Sequence, residues 1–202
     1  MYGRKAPWSG IDRTPMAESS THLQYIQEKL GRRVLDAPVF RGDDILILDR
    51  AGLRESFRFF KEDARLRFDF LSDITAVDYW KKQEPRFEVV YQVASLKGAR
   101  RLRVRVPVPE DDAAVESLTP LWRGANFLER EVWDLFGIRF IDHPDLRRVL
   151  LYEEFQGHPL RKDYPVNLWQ PLVPERKVEG TFVDERSQNK LLRLKHVLGN
   201  KG

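Results

Sequence analysis

Two alternating runs on either side of a short glycine turn constrain this chain most. Phe87, Val89, Tyr91 and Val93 recur at every second position, and so do Leu102, Val104 and Val106. In an extended chain successive side chains point to opposite faces, so each run has one apolar face. Lys97-Gly98-Ala99 between them predicts a hairpin connection. Other elements are legible around this pair. Thr21 and Gln24 form a capping box for a helix whose apolar face is Leu23, Ile26 and Leu30, ending at Gly31. Residues 34–40 and 44–48 predict two strands around Arg41-Gly42-Asp43. Asp49 is placed to cap a second helix with Leu53, Phe57, Phe60 and Ala64 on one side. Residues 70–80 are β-branched and aromatic and predict another strand, despite Asp73 and Asp78. The order is helix, two strands, helix, three strands, long helix. It implies an α+β fold of two layers, with helices packed on a mixed, largely antiparallel sheet and an extended C-terminal tail.

The long helix opens the most unusual stretch, residues 125–165. Thr119 is a candidate cap and Pro120 suits a first helical position. Ala125, Leu128, Val132 and Leu135 make an apolar stripe, and Gly137 is placed to end the helix in a left-handed turn. Glu129, Glu131 and Asp134 fall off that stripe. Arg130 lies one turn before Asp134, which predicts a pair between them. Two His-Pro dipeptides follow, His143-Pro144 and His158-Pro159, and each pushes the chain towards extended geometry. A self-contained core does not need forty residues of this kind. A surface read by another protein does.

Composition narrows the chemistry. The 202 residues carry no cysteine, which excludes disulfides and thiolate-ligated iron–sulfur clusters from this chain. No P-loop, Gly-x-Gly-x-x-Gly fingerprint or nucleophile elbow is present. The isolated protein is therefore expected to be colourless and cofactor-free. The four histidines, His22, His143, His158 and His196, are read as hydrogen-bonding or surface groups, because none has metal-ligand spacing. Glu129 and Glu131 are two apart and do not face each other on a helix, so they are read as solvated or Arg-bound in structural or interface pairing, with direct catalysis or proton transfer as the sharper alternative. Trp80, Trp122 and Trp133 are read as core, with Trp and Arg the usual anchors where a partner docks.

A net charge of +4 raises nucleic acid as a partner. The distribution argues against it. Within 125–165 the acids Glu129, Glu131, Asp134, Asp142, Asp145, Glu153, Glu154 and Asp163 outnumber the bases. Mixed signs suit a protein partner, whereas a phosphate backbone selects one sign. Arg101, Arg103 and Arg105 alternate with apolar residues. They are read as a solvated strand face or an edge strand guarded by charge, with a basic docking face for an acidic protein or RNA as the sharper alternative.

Residues 1–20 lack a signal-type apolar core and a periodic face. They are expected to be a flexible extension whose removal leaves the fold intact, with Met16 an alternative start. Residues 21–150 are expected to be the α+β domain. Residues 151–202 are expected to be an extended partner-binding tail, in which 184–198 can close into a basic terminal helix.

The segments FLSDITAVDYW, EREVWDLFGIRF, HPDLRRVLL and GHPLRKDYP, in that order, resemble the thirty-kilodalton subunit of NADH:quinone oxidoreductase, respiratory complex I. The likeness spans residues 68–165, and more weakly from 22. It implies an accessory subunit of the hydrophilic arm of a proton-translocating enzyme. Flavin and iron–sulfur clusters would lie in partner subunits, and the isolated chain would have no activity. The expected partner is the forty-nine-kilodalton quinone-site subunit. The expected location is the cytoplasmic face of a bacterial inner membrane, or the equivalent organellar face, reached only through partners. Alternatives are the equivalent subunit of a membrane-bound hydrogenase or another quinone-reducing dehydrogenase. From other classes, a basic nucleic-acid-binding module and a stand-alone enzyme remain. The resemblance marks Glu129, Arg130, Glu131, Trp133, Asp134, His143, Arg147, His158, Leu160, Arg161, Lys162, Asp163 and Tyr164 as partner-binding. Arg161 is the expected anchor. Its loss should weaken assembly by roughly 2–4 kcal/mol and the isolated fold by less than about 0.5 kcal/mol.

Overall fold

The structure, a computed structural model, describes residues 21–170. The expectations for the first twenty residues, for His196 and for the helix over 184–198 lie outside the described residues. In chain order the elements are α1 (Thr21–Leu30), β1 (Val34–Asp36), β2 (Val39–Phe40), β3 (Asp43–Leu48), α2 (Leu53–Glu62), β4 (Phe70–Asp78), β5 (Phe87–Ser95), β6 (Arg100–Val108), β7 (Ala114–Glu116), α3 (Ala125–Phe136) and β8 (Arg139–Ile141). Residues 142–170 run in turns and irregular backbone.

The predicted hairpin is the centre of the sheet. β5 and β6 pair without a break from Phe87↔Val108 to Ser95↔Arg100. The strand order is β1-β3-β6-β5-β4, with β2 also paired to β3. β3 and β6 are parallel and the other pairings in this sheet are antiparallel, so the sheet is mixed. Because the period is two, Phe87, Val89, Tyr91 and Val93 share a face with Leu102, Val104 and Val106. The apolar faces of α1, α2 and α3 close over it in one core. Phe57 of α2 sits at its middle, with ring centroids 4.9 Å from Tyr91, 5.4 Å from Phe60 and 6.1 Å from Trp122. Burying a side chain of this size stabilises by roughly 1.5–3 kcal/mol. This is the α+β, helix-on-sheet architecture the sequence implied.

Three local expectations need correction. β6 is a central strand, so Arg101, Arg103 and Arg105 do not guard an edge. Alternation reveals which face of a strand meets water, not which strands flank it. Arg105 makes a two-pronged pair with Glu88, at 2.5 and 2.7 Å, and Arg103 reaches Asp43 at 3.3 Å. Second, α3 begins at Ala125 behind Gly124, with no side-chain cap. Thr119 and Pro120 instead occupy a turn in which Leu118 O accepts the N–H groups of Leu121 and Trp122. Third, Asp49 does not cap α2: Gly52 stands at its start with no side-chain cap, and Asp49 Oδ1 accepts the Ala51 N–H instead. Beyond what was expected, β7 and β8 form a separate parallel pair of three residues each. Strands that short leave no readable periodicity.

Candidate functional site

α3 buries charged side chains as well as its apolar stripe: Glu129, Arg130 and Asp134 are all inside. The reason is the loop that follows. Residues 142–151 have no ladder to satisfy their backbone, and buried amides and carbonyls need partners. Asp134 Oδ2 accepts three successive N–H groups, from Val149 (3.0 Å), Leu150 (2.9 Å) and Leu151 (3.0 Å). Its Oδ1 takes the Arg148 guanidinium at 2.7 Å. One turn earlier, Arg130 donates to the carbonyls of Arg147 (3.0 Å) and Arg148 (2.9 Å). The expected Arg130–Asp134 pair is replaced by this division of work, in which Arg130 takes the loop's carbonyls and Asp134 its amides. Burial alone pushes the Asp134 carboxyl up, but the donors from Leu151, Arg148, Leu150 and Val149 hold it below its ordinary value.

Segment 157–165 closes the other end of the helix. Gly137 ends α3 with φ +75°, in the left-handed turn expected of it. A Cβ there would meet the His158 ring at 2.6 Å and Arg161 at 2.8 Å, so only glycine fits. The last-turn carbonyls of a helix lack internal partners. Here Asp134 O is bonded by His158 Nδ1 (2.9 Å), Leu135 O by Leu160 N–H (3.0 Å) and Phe136 O by Arg161 Nε (2.6 Å). The Arg161 guanidinium also lies 5.1 Å from the Phe87 ring centroid. Trp133 is half-buried with its ring edge-on to His158. Tyr164 stacks on Phe155.

An ion cluster built on the buried Arg86–Asp78 pair fastens this segment to the sheet. Arg86 is 2% exposed and binds Asp78 through Nε (3.0 Å) and Nη2 (2.8 Å). It also binds Asp163 (2.6 Å) and Glu110 (2.5 Å), while Asp78 accepts the Lys162 N–H at 2.8 Å. Arg161 is thus part of the fold, which corrects the expectation of an ordinary surface position. Arg161→Ala should destabilise the isolated chain by roughly 1.5–3 kcal/mol, the usual value of a charge-assisted hydrogen bond. Thermal melting of the free chain checks this.

Glu129 departs furthest from its expected setting. It is neither solvated nor bound to arginine: it is fully buried, accepting from Ser117 Oγ (2.7 Å) and Leu118 N–H (2.6 Å). Burial pushes its carboxyl up to about 7, against those two hydrogen bonds and the charge of Arg54. His143 is held by Asn126 O (3.2 Å) and by the Asp145 N–H (3.0 Å). Among the described residues, no group of three or more His, Cys, Asp or Glu is placed to hold a metal ion.

Glu131, Arg147, Leu160, Lys162 and Asp163 remain on the surface from the expected partner-binding set. Glu129, Arg130 and Asp134 shape that surface from below. Sequence reasoning missed its most exposed apolar members. Val166 is 98% and Trp169 94% exposed, joined by Leu168, Leu150 and Phe127. The signal was present: apolar residues follow Pro165 directly, in a stretch already punctuated by proline. No helix among the described residues is long and apolar enough to cross a membrane.

Residues 46–168 match the family model described as respiratory-chain NADH dehydrogenase, 30 Kd subunit. The chain is 44% identical over 151 residues to the C-type subunit of NADH-quinone oxidoreductase from Geobacter sulfurreducens, covering 75% of this chain and 92% of that one. It is 42% identical over 163 residues to a C-type subunit of the same enzyme from Rhizobium etli, covering 81% and 86%. Its structure resembles a trypsin-resistant fragment of Nqo5, with TM-score 0.52 and 39% identity over 62% of this chain and 96% of that fragment. It also shares a fold with a chain of an archaeal membrane-bound sulfane sulfur reductase, with TM-score 0.59 and 23% identity over 72% and 85%.

Proposed function

Because the chain belongs to the family of the 30-kilodalton subunit of respiratory-chain NADH dehydrogenase, the C-type subunit of NADH-quinone oxidoreductase, we propose that it is a cofactor-free docking subunit whose partner is the quinone-site subunit. It carries no electrons itself and is held on the cytoplasmic face of the membrane by its partners. Its surface for that partner is the ridge of residues 147–169, positioned by Asp134, Arg130 and Arg86.

The observation that carries this reading is the state of that ridge. Residues 142–170 contain no regular element, yet buried charges hold their backbone in one place. Immediately beyond the held part, Val166 and Trp169 stand almost fully in water. A large aromatic side chain borne directly after a pre-organised segment is the kind of group that dominates binding energy when a partner pocket receives it. The exposed charges of both signs, Glu131, Arg147 and Lys162, fit a polar rim around it.

Trp169→Ala should leave the melting temperature of the free chain unchanged, since the side chain is almost fully in water. It should lower retention of the quinone-site subunit at least about tenfold in co-purification, as expected for losing an anchor. A mutant that assembles like wild type removes Trp169 from the interface. Failure of the wild-type chain to retain that subunit overturns the assignment of partner. Stoichiometric iron or flavin on the purified chain would overturn the cofactor-free reading.

A further inference from the structure

We propose that Glu129 is a buried proton-binding site connected to solvent through the hydroxyls of Ser117 and Thr119. Glu129 has no exposed surface. Its Oε2 lies 2.7 Å from Ser117 Oγ, and Ser117 Oγ lies 2.8 Å from Thr119 Oγ1. Thr119 is partly exposed. The three oxygens form a short file from the interior to the surface.

The file accommodates the carboxyl in either state without moving a heavy atom. With Glu129 ionised, Ser117 donates to Oε2 and Thr119 donates to Ser117. With Glu129 protonated, both hydroxyls turn round: Oε2 donates to Ser117 Oγ, and Ser117 donates to Thr119 Oγ1. Hydroxyls can do this because each is both donor and acceptor. To load the site, solvent gives a proton to Thr119 Oγ1, Thr119 gives its own to Ser117 Oγ, and Ser117 gives its own to Oε2. Each hydroxyl ends as it began, and the carboxylate becomes a neutral acid. Oε1 keeps the Leu118 N–H at 2.6 Å throughout.

The surroundings leave the two states closely balanced. Arg54 on α2 favours the ionised form, but its guanidinium is engaged with Ser117 O, Ile141 O and Asp142. Glu116 on β7 binds the Arg54 N–H. Tyr91 on β5 brings a fully buried hydroxyl with no hydrogen-bond partner among the described residues. His143, after β8, places Nε2 3.9 Å from Oε2. Its Nδ1 accepts the Asp145 N–H, so the ring proton sits on Nε2 and points at Asn126 O. Burial then raises the carboxyl to about 7. The folded chain therefore holds this proton more tightly than the unfolded chain. The stabilisation is complete below the ordinary Glu value and is lost as pH rises through about 7.

The test is a pH titration of the full chain by carbon NMR of labelled Glu carboxyls. One resonance should titrate with a midpoint of about 7 and be missing in Glu129→Gln. Ser117→Ala removes a donor to the carboxylate and should raise that midpoint. Thr119→Val should delay the D2O shift of the protonated acid's C=O infrared band, which is immediate in wild type. Denaturation should show wild-type stability falling through neutral pH and Glu129→Gln without that fall. Wild-type Glu carboxyls all titrating in the ordinary range overturn the site. An unmoved midpoint in Ser117→Ala with undelayed exchange in Thr119→Val overturns the relay. If Glu129→Gln fails to fold, the wild-type and Ser117→Ala titrations decide alone.

Discussion

Arg86→Met is expected to lower the unfolding free energy of the chain by about 3–5 kcal/mol, the usual cost of breaking a buried ion pair from one side. Methionine keeps much of the apolar stem but none of the donors. Asp78 would stay fully buried, with only the N–H groups of Trp80 (2.9 Å) and Lys162 (2.8 Å) to hold its charge. Burial alone pushes the Asp78 carboxyl up; Arg86 foremost, with the two backbone donors, holds it below its ordinary value. Asp163 and Glu110 would lose their partner at the same time. Arg86→Lys should recover only part of the loss, because an ammonium cannot reproduce a fork that meets two carboxylates at once. Urea denaturation measures the size of the effect. Limited proteolysis should show faster cleavage within 157–165, since Asp163 and the Lys162 N–H are the ties that segment has to the sheet cluster. A loss below about 1 kcal/mol would mean that the cluster contributes little to the fold.

Asp134→Ala is the second large effect, also expected at about 3–5 kcal/mol, because it orphans three backbone N–H groups and strips the Arg148 guanidinium of its carboxylate together. Arg148 also donates to Phe155 O (2.7 Å) and Gly157 O (3.2 Å), so the damage should spread along the ridge. Hydrogen exchange at Val149, Leu150 and Leu151 should rise far above wild type while the β5–β6 ladder stays protected. A uniform rise would mean global destabilisation without a local role. The pH dependence carries a definite sign. Asp78, Asp134 and Asp163 are all held below the ordinary Asp value in the folded chain. Their stabilisation is complete above the unfolded value of about 3.9 and is lost as pH falls through the folded values. The acid limb of the stability curve should therefore be shallower in Asp134→Ala.

Much of this architecture was legible because it rests on local repetition. The period of two in β5 and β6 specifies a paired strand with one apolar face, whatever its neighbours. The helical stripe of α3 and its Gly137 stop are equally local, since a left-handed residue at a helix end selects glycine. The resemblance in 125–165 carried the family, because a run of motifs in a set order is itself a property of the sequence.

Tertiary structure decided where the charges went. Nothing in the spacing of Arg130 and Asp134 distinguishes a helical pair from two residues that divide a distant loop's carbonyls and amides. Nothing local tells that Arg86 meets Asp163, or that Arg101, Arg103 and Arg105 lie on a central strand. Glu129 reads as a surface acid until β7 brings Ser117 and Leu118 against it. Apolar periodicity reports burial because apolar side chains need only be removed from water. A buried charge must meet a particular partner, and that partner is chosen by the folded chain in three dimensions.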